Sequence, residues 1–177
     1  DPLRMMRAAR FAAQLDFKVD KSSIKAMKSM YERISIISQE RITDEFLKIL
    51  ASPKPSVGLH ILFDTHILKI IFPELDKLSG IEVVNENGTN YGHKDILQHS
   101  FQVLDNVAEV SNDLWLRFAA LIHDIAKPLV KKFIKGTGWS FHGHEEIGAR
   151  FVEKIFRRLK LPLEHIAQVE LLVRLHQ

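Results

Sequence analysis

A histidine and an aspartate stand side by side at His123-Asp124, directly after the apolar run LRFAALI at 116–122. Burying an imidazole and a carboxylate together at the end of an apolar helix costs desolvation free energy unless something satisfies both groups. A divalent metal ion would do so. The chain has no cysteine, so a metal must be held by nitrogen and oxygen ligands. Imidazole with carboxylate suits Mn, Fe, Co, Ni, Zn or Mg. Four of the nine histidines fall within 99–144: His99, His123, His142 and His144. His142 and His144 stand two apart in FHGHEE, at an expected helix start, where free backbone N–H groups favour an anion. Two readings of this pair stand side by side, a phosphate or second-metal contact and a helix-capping or surface role. Lys127 is three residues past Asp124 and is either a phosphate contact or a solvated side chain. His60, His66, His93, His165 and His176 read as surface or packing residues.

A second chemically suggestive stretch opens the chain, DPLRMMRAARFAAQLDF. On a helix Asp1 and Arg4 share a face, and Arg4, Arg7 and Phe11 share it too. A carboxylate and a guanidinium at fixed spacing present an acceptor and paired donors suited to the polar edge of a nucleobase. The plainer alternative is that Asp1 caps the helix and Arg4 is solvated. Met5, Ala8, Ala9, Ala12 and Ala13 form a small opposite face that allows close approach of another helix. Arg7, Arg10, Lys25 and Lys28 are candidate phosphate contacts.

The elements that must position these residues read as helices nearly throughout, with no convincing alternating strand. Asp1 followed by Pro2 predicts a helix start at once, running to about Gln14. Further helices are expected over 22–34, 39–51, 56–63, 65–72, 94–110, 113–126, 143–160 and 163–177. The fold class is all-α. GIEVVNENGTNY, between Ser79 and Tyr91, breaks the pattern and places a domain boundary, giving regions 1–80 and 81–177. KKFIKGTGWSF at 131–141 alternates weakly around Gly136 and Gly138 and reads as a short hairpin or an exposed loop. With 177 residues and 46% hydrophobic content the chain can build a real core. No stretch reaches the roughly 20 apolar residues of a membrane span. The net charge of +3 is too small to decide nucleic-acid binding by itself. The absence of cysteine suits a reducing cytoplasm, and both ends suggest part of a longer protein.

His99, HDIAK and FHGHEEIGARF together resemble the HD superfamily of metal-dependent phosphohydrolases. The resemblance implies His99, His123 and Asp124 as metal ligands, with Lys127, His142 and His144 beside the reacting phosphate. A fourth ligand, an Asp from a later helix, is expected beyond Gln177, since no Asp follows Asp124. Ala126 stands where HDxGK has Gly. DPLR..RAARFAA resembles the neck helix of the class II tRNA nucleotidyltransferase and poly(A) polymerase family, the CCA-adding enzymes, whose E-D-x-x-R motif selects the incoming nucleotide. Asp1 and Arg4 match its Asp and Arg. SQERITDEFLKIL and PSVGLHILFDTHILKIIFPEL resemble the elements that follow, and bacterial members with an HD domain after the body carry blocks like those at 117–127 and 142–145.

The resemblance implies a helical neck and body followed by an HD-type helical domain, with tRNA, ATP and CTP as partners and a cytoplasmic location. It also implies an HD site that hydrolyses phosphoesters at RNA ends or cyclic nucleotides. The family's polymerising head, a Gly-Ser pair and a D-x-D pair holding magnesium, has no counterpart in this sequence. This chain is therefore expected to carry base selection and RNA support. Two rival readings are a stand-alone HD phosphohydrolase of nucleotides and a non-catalytic RNA-binding module.

Overall fold

A computed structural model describes residues 1–177. Eleven α-helices and two small hairpins follow one another as α1 (Leu3–Leu15), α2 (Lys21–Met30), α3 (Gln39–Leu50), α4 (Pro55–Asp64), α5 (Ile67–Ile71), α6 (Pro73–Asp76), β1 (Val83–Glu86), β2 (Thr89–Gly92), α7 (Ile96–Val110), α8 (Leu114–Ile122), α9 (Lys127–Val130), β3 (Lys132–Ile134), β4 (Gly138–Ser140), α10 (His144–Leu159) and α11 (Ile166–Arg174). Short 3-10 turns cover Tyr31–Ile36 and Leu163–His165. The molecule is helical as expected, and of the two readings of 131–141 the short hairpin is the one that forms; the hairpin at 83–92 was not expected.

The first hairpin turns on Asn87 and Gly88, both with positive φ (50° and 83°), the Asn-Gly arrangement whose twist matches two antiparallel strands. The polar stretch that looked like a mere helix break is therefore a tight turn. The second hairpin turns through Gly136 and pairs Phe133 with Trp139. The two hairpins lean on each other. Trp139 Nε1 donates to the Tyr91 carbonyl oxygen at 3.1 Å, and the rings of Tyr91, Phe133 and Trp139 meet edge to face.

Two expected helices stop short. The helix placed over 22–34 ends at Met30 and tightens into a 3-10 turn. The one placed over 113–126 ends at Ile122, because Pro128 has no N–H to carry an α-helix onward. Asp124 O instead takes Lys127 N at 3.0 Å, in a tight turn that re-aims His123 and Asp124.

A single hydrophobic core of 38 buried residues runs through both halves of the chain. The small face of α1 meets α4 as the alanine pattern implies. A Cβ on Gly58 would lie 2.9 Å from Ala9 O and 3.3 Å from the Ala13 Cβ, so only glycine permits this approach. Thr43 on α3 donates to Leu159 O on α10 at 2.5 Å, and Arg158 pairs with Glu74.

The tightest tie between the halves is Arg117, on α8 and only 2% exposed. Its five N–H donors meet five oxygens: Ser111 O, Leu50 O, Ser52 O, Ala108 O and Asn112 Oδ1, at 2.8–3.3 Å. The guanidinium closes the carbonyl ends of α3 and α7 at once. Arg117→Ala removes all five bonds and leaves buried carbonyls without donors, so we expect a loss of about 3–4 kcal/mol in urea unfolding. Arg117→Lys should recover only part of this, since an ammonium offers three donors.

Candidate metal centre

The tight turn after α8 buries the Asp124 carboxylate, leaving it 1% exposed, and aims four histidines and a lysine at it. Lys127 Nζ donates to Oδ2 at 2.7 Å, and His123 Nε2 lies 3.2 Å and His99 Nε2 3.9 Å from the same oxygen. Oδ1 faces His144 Nε2 at 3.1 Å and His176 Nε2 at 3.6 Å, yet no protein group is aligned to donate to it. A buried carboxylate oxygen without a donor calls for a cation.

The other nitrogen of three of these rings explains why. His123 Nδ1 contacts Ala120 O at 2.7 Å, His144 Nδ1 contacts Phe141 O at 2.8 Å, and His176 Nδ1 contacts Val173 O at 2.6 Å. A carbonyl can only accept, so each Nδ1 carries a proton and each ring is held with its Nε2 facing inward. Three ring nitrogens thus converge on one buried carboxylate. Backbone carbonyls orienting imidazoles in this way are the usual support of a metal site. The donor set, nitrogen and oxygen with no sulfur, fits a divalent ion.

Protonation equilibria reflect the same crowding. Burial pushes the Asp124 carboxyl up, but hydrogen bonds with His123 and His176, joined by Lys127, outweigh it and hold the group well below the usual carboxylate range. The Asp124 carboxylate facing its ring raises His176 above the ordinary histidine value. Burial lowers His99, and the neighbouring His123 lowers it further.

The centre opens into a cavity of about 260 Å³ lined by His93, Lys94, His99, Lys127 and Phe141, with Asp124 in its wall. His93 cannot serve as a ligand there. Its Nε2 accepts the Glu82 N–H at 3.2 Å and its Nδ1 donates to Lys94 O, so the ring ties the residue before β1 to the link that follows β2.

His99, His123, Asp124, Lys127 and His144 thus come together, whereas His142 is exposed and its side chain makes no hydrogen bond. His176, read from sequence as a surface or packing residue, is a correction: it reaches Asp124 from just past α11. The reading of His60, His66 and His165 as packing residues agrees with their rings lying against Phe101, Tyr31 and Trp115. On α1, Asp1 caps the helix through Leu3 N at 3.0 Å and pairs with Arg41 at 3.4 Å, while Arg4 is exposed and without an ion pair. Arg7 and Arg10 are not freely solvated cations. Both turn to the buried Glu45, at 3.4 and 2.8 Å, and the Arg10 guanidinium lies over Phe11. Lys25 and Lys28 are exposed on α2.

Family models match in two blocks, "Probable RNA and SrmB- binding site of polymerase A" over 16–78 and "HD domain" over 96–177. An A-adding tRNA nucleotidyltransferase of Deinococcus radiodurans is 33% identical over 99% of this chain and 41% of its own length. A multifunctional CCA protein of Methylococcus capsulatus is 33% identical over 99% of this chain and 41% of itself. Another, from Psychromonas ingrahamii, is 31% identical over 93% of this chain and 40% of itself. The chain belongs to the tRNA nucleotidyltransferase family. It spans about two fifths of the length of these tRNA nucleotidyltransferases and carries their RNA-binding and HD regions. The side chains gathered around Asp124 all lie within the HD match. Residues 79–95, with the first hairpin, lie between the two matches.

If the inward Nε2 atoms await a cation, saturating Mn²⁺ or Co²⁺ should stabilise the fold, by about 2.7 kcal/mol at a hundred times Kd. Thermal melts with and without the ion would show this as a rise in Tm. Asp124→Asn should abolish the rise, and an unchanged rise would refute the assignment.

Proposed function

We propose that this chain forms the nucleotide-selecting, RNA-binding and HD parts of an enzyme that adds nucleotides to the 3′ end of tRNA, and that its HD site hydrolyses phosphoesters at RNA ends or in cyclic nucleotides. Relatives named for A addition and for CCA support the first half of this reading. The observation that carries the second is the buried Asp124 carboxylate, ringed by inward Nε2 atoms beside an open cationic cavity.

His99, His123 and Asp124 would hold a divalent ion, which when bound would supply Lewis-acid polarisation of a phosphoryl oxygen and acidify a water. The chain's own side chains do the rest. Lys127 spends one N–H on Asp124 and keeps two for a non-bridging phosphate oxygen. Lys94 lines the same cavity and adds positive charge to attract a phosphoester. Phe141 lies under Lys127, 5.6 Å from its nitrogen, and walls the cavity with an apolar ring. Burial, and after it His123, lower the pKa of His99, which favours ligation by its ring nitrogen.

At the other end of the molecule Arg4 is free to meet a nucleobase edge, while Asp1 is tethered to Leu3 N and Arg41. Lys25, Lys28 and part of Arg7 would contact tRNA phosphates. Arg10 acts through Glu45, orienting α1 on α3.

Two measurements on the intact enzyme check this. Arg4→Ala should erode the choice among ATP, CTP, GTP and UTP by about 1–3 kcal/mol, the worth of a bidentate base contact, with little change in tRNA affinity. Unaltered choice would reduce Arg4 to a solvated residue. Protein loaded with Mn, Co or Ni should hydrolyse a 2′,3′-cyclic nucleotide, and Asp124→Ala should abolish this while leaving nucleotide addition largely intact. Loss of both activities together would make Asp124 a structural residue.

A further inference from the structure

A second hollow opens on the far side of His93. This hollow, of about 230 Å³, shares His93 and Ile96 with the HD cavity as a common wall. Lys94 and Lys127 line the HD cavity, and Lys77 and Lys131 line the hollow, so a pair of ammonium groups stands on each side of one imidazole. Lys77 lies within the RNA-binding match and Lys131 within the HD match, so both regions build the hollow.

The surrounding charge is one-sided. Residues 77–95 and 127–142, which carry both hairpins, hold six lysines and only three carboxylates. That excess equals the net charge of +3 of the whole chain, which is thus gathered around the hairpins. Two of the three carboxylates are turned to the backbone: Asp95 accepts from Gly80 N and Gln98 N at 2.9 and 3.0 Å, and Glu86 accepts from Gly136 N at 2.8 Å. Glu82 alone pairs with a lysine, Lys131 at 2.9 Å. The Lys131 side chain is only 15% exposed and its nitrogen rests 4.5 Å over the Trp139 ring, so the cation is in place before any anion arrives. Glu82 is 66% exposed and can yield its position to a phosphate. Ile81, 59% exposed, gives the hollow an apolar lip on which a base can lie.

A lone phosphate engages one pair of lysines and leaves the other idle. Two pairs across a thin wall, with an apolar lip beside them, match successive phosphates of one strand. We propose that the hollow between Lys77 and Lys131 holds the neighbouring nucleotide of an RNA strand whose terminal phosphoester lies in the HD cavity, so that the HD site acts on RNA ends in preference to free nucleotides. This rests on the phosphoesterase reading of the HD site and names its substrate class. For a strand ending in a 2′,3′-cyclic phosphate, one water adds across a P–O bond of the ring and a terminal phosphomonoester with a free neighbouring hydroxyl remains. The hollow takes no part in that step; it holds the strand.

The test compares a ribotrinucleotide ending in a 2′,3′-cyclic phosphate with a 2′,3′-cyclic mononucleotide, both on the Mn-loaded intact enzyme. The trinucleotide should have the higher kcat/KM by about tenfold, the worth of one charge-assisted hydrogen bond. Lys77→Met with Lys131→Met keeps the apolar stems and removes both charges; it should bring the ratio to about one while mononucleotide hydrolysis persists. Fluorescence anisotropy with the labelled trinucleotide reads binding without turnover. The double variant should flatten the dependence of log affinity on log salt by about 1.4, two phosphate contacts at about 0.7 each. Glu82→Gln, which frees Lys131, should tighten trinucleotide binding by about two- to fivefold, a gain that misfolding does not produce. Equal kcat/KM for the two substrates, or a salt dependence unchanged in the double variant, would overturn the subsite. Trinucleotide binding that responds to all three substitutions with neither substrate hydrolysed would uphold the subsite and overturn the phosphoesterase reading instead.

Discussion

Helix α8 is held at both ends by polar groups that the core cannot tolerate unsatisfied, and the molecule is arranged around meeting those demands. At one end the Arg117 guanidinium fills all five donors with oxygens from α3 and from the turn between α7 and α8. At the other the chain turns sharply and presents Asp124 to rings from α7, α10 and the residues past α11. A buried guanidinium without acceptors, or a buried carboxylate without cations, would each cost several kcal/mol. Both ends being fixed, the register of α8 is fixed, and with it the position of the Asp124 cluster relative to the half that carries the RNA-binding match.

That coupling gives the architecture its functional logic. Arg117 reaches from the HD region to Leu50 O and Ser52 O at the end of α3, inside the RNA-binding match. Glu45, earlier on α3, anchors Arg7 and Arg10 of α1. A chain of direct contacts therefore runs from the first helix, with its exposed Arg4, through α3 to α8 and Asp124. The two regions share one core, so the first helix and the HD cavity hold a fixed spacing rather than swinging on a linker.

The hairpins fill the remaining side of the cavity. The interlocked rings of Tyr91, Phe133 and Trp139 make a stiff aromatic block with little helical structure. His93 packs against Trp139 and has both ring nitrogens occupied, by Glu82 N–H and Lys94 O, which explains how a histidine can line this cavity without being free to ligate. Lys131 packs its ammonium 4.5 Å over Trp139 and pairs with Glu82, so the block is charged at its rim and apolar within.

Much of the site was legible in the sequence. His123-Asp124 after an apolar run marks a buried polar pair that must find partners, and the histidine spacing around it resembles the HD pattern before any fold is known. The all-α class followed from periodicity, and the small face of α1 from its alanines. The Asn87-Gly88 hairpin carried a readable turn signal, but its strands are too short and too polar to show alternation. His176 carried no signal, because nothing near it in sequence is metal-ligating; it joins Asp124 only when α11 packs on α8 and α10. In the same way Arg10 reads as a solvated cation until α3 brings Glu45 beneath it. Residue types and local spacing decide which chemistry is available, since desolvation and hydrogen-bonding capacity belong to the side chains themselves. Which groups meet, and therefore which lone pairs face a common centre, is decided by the packing of helices distant in sequence.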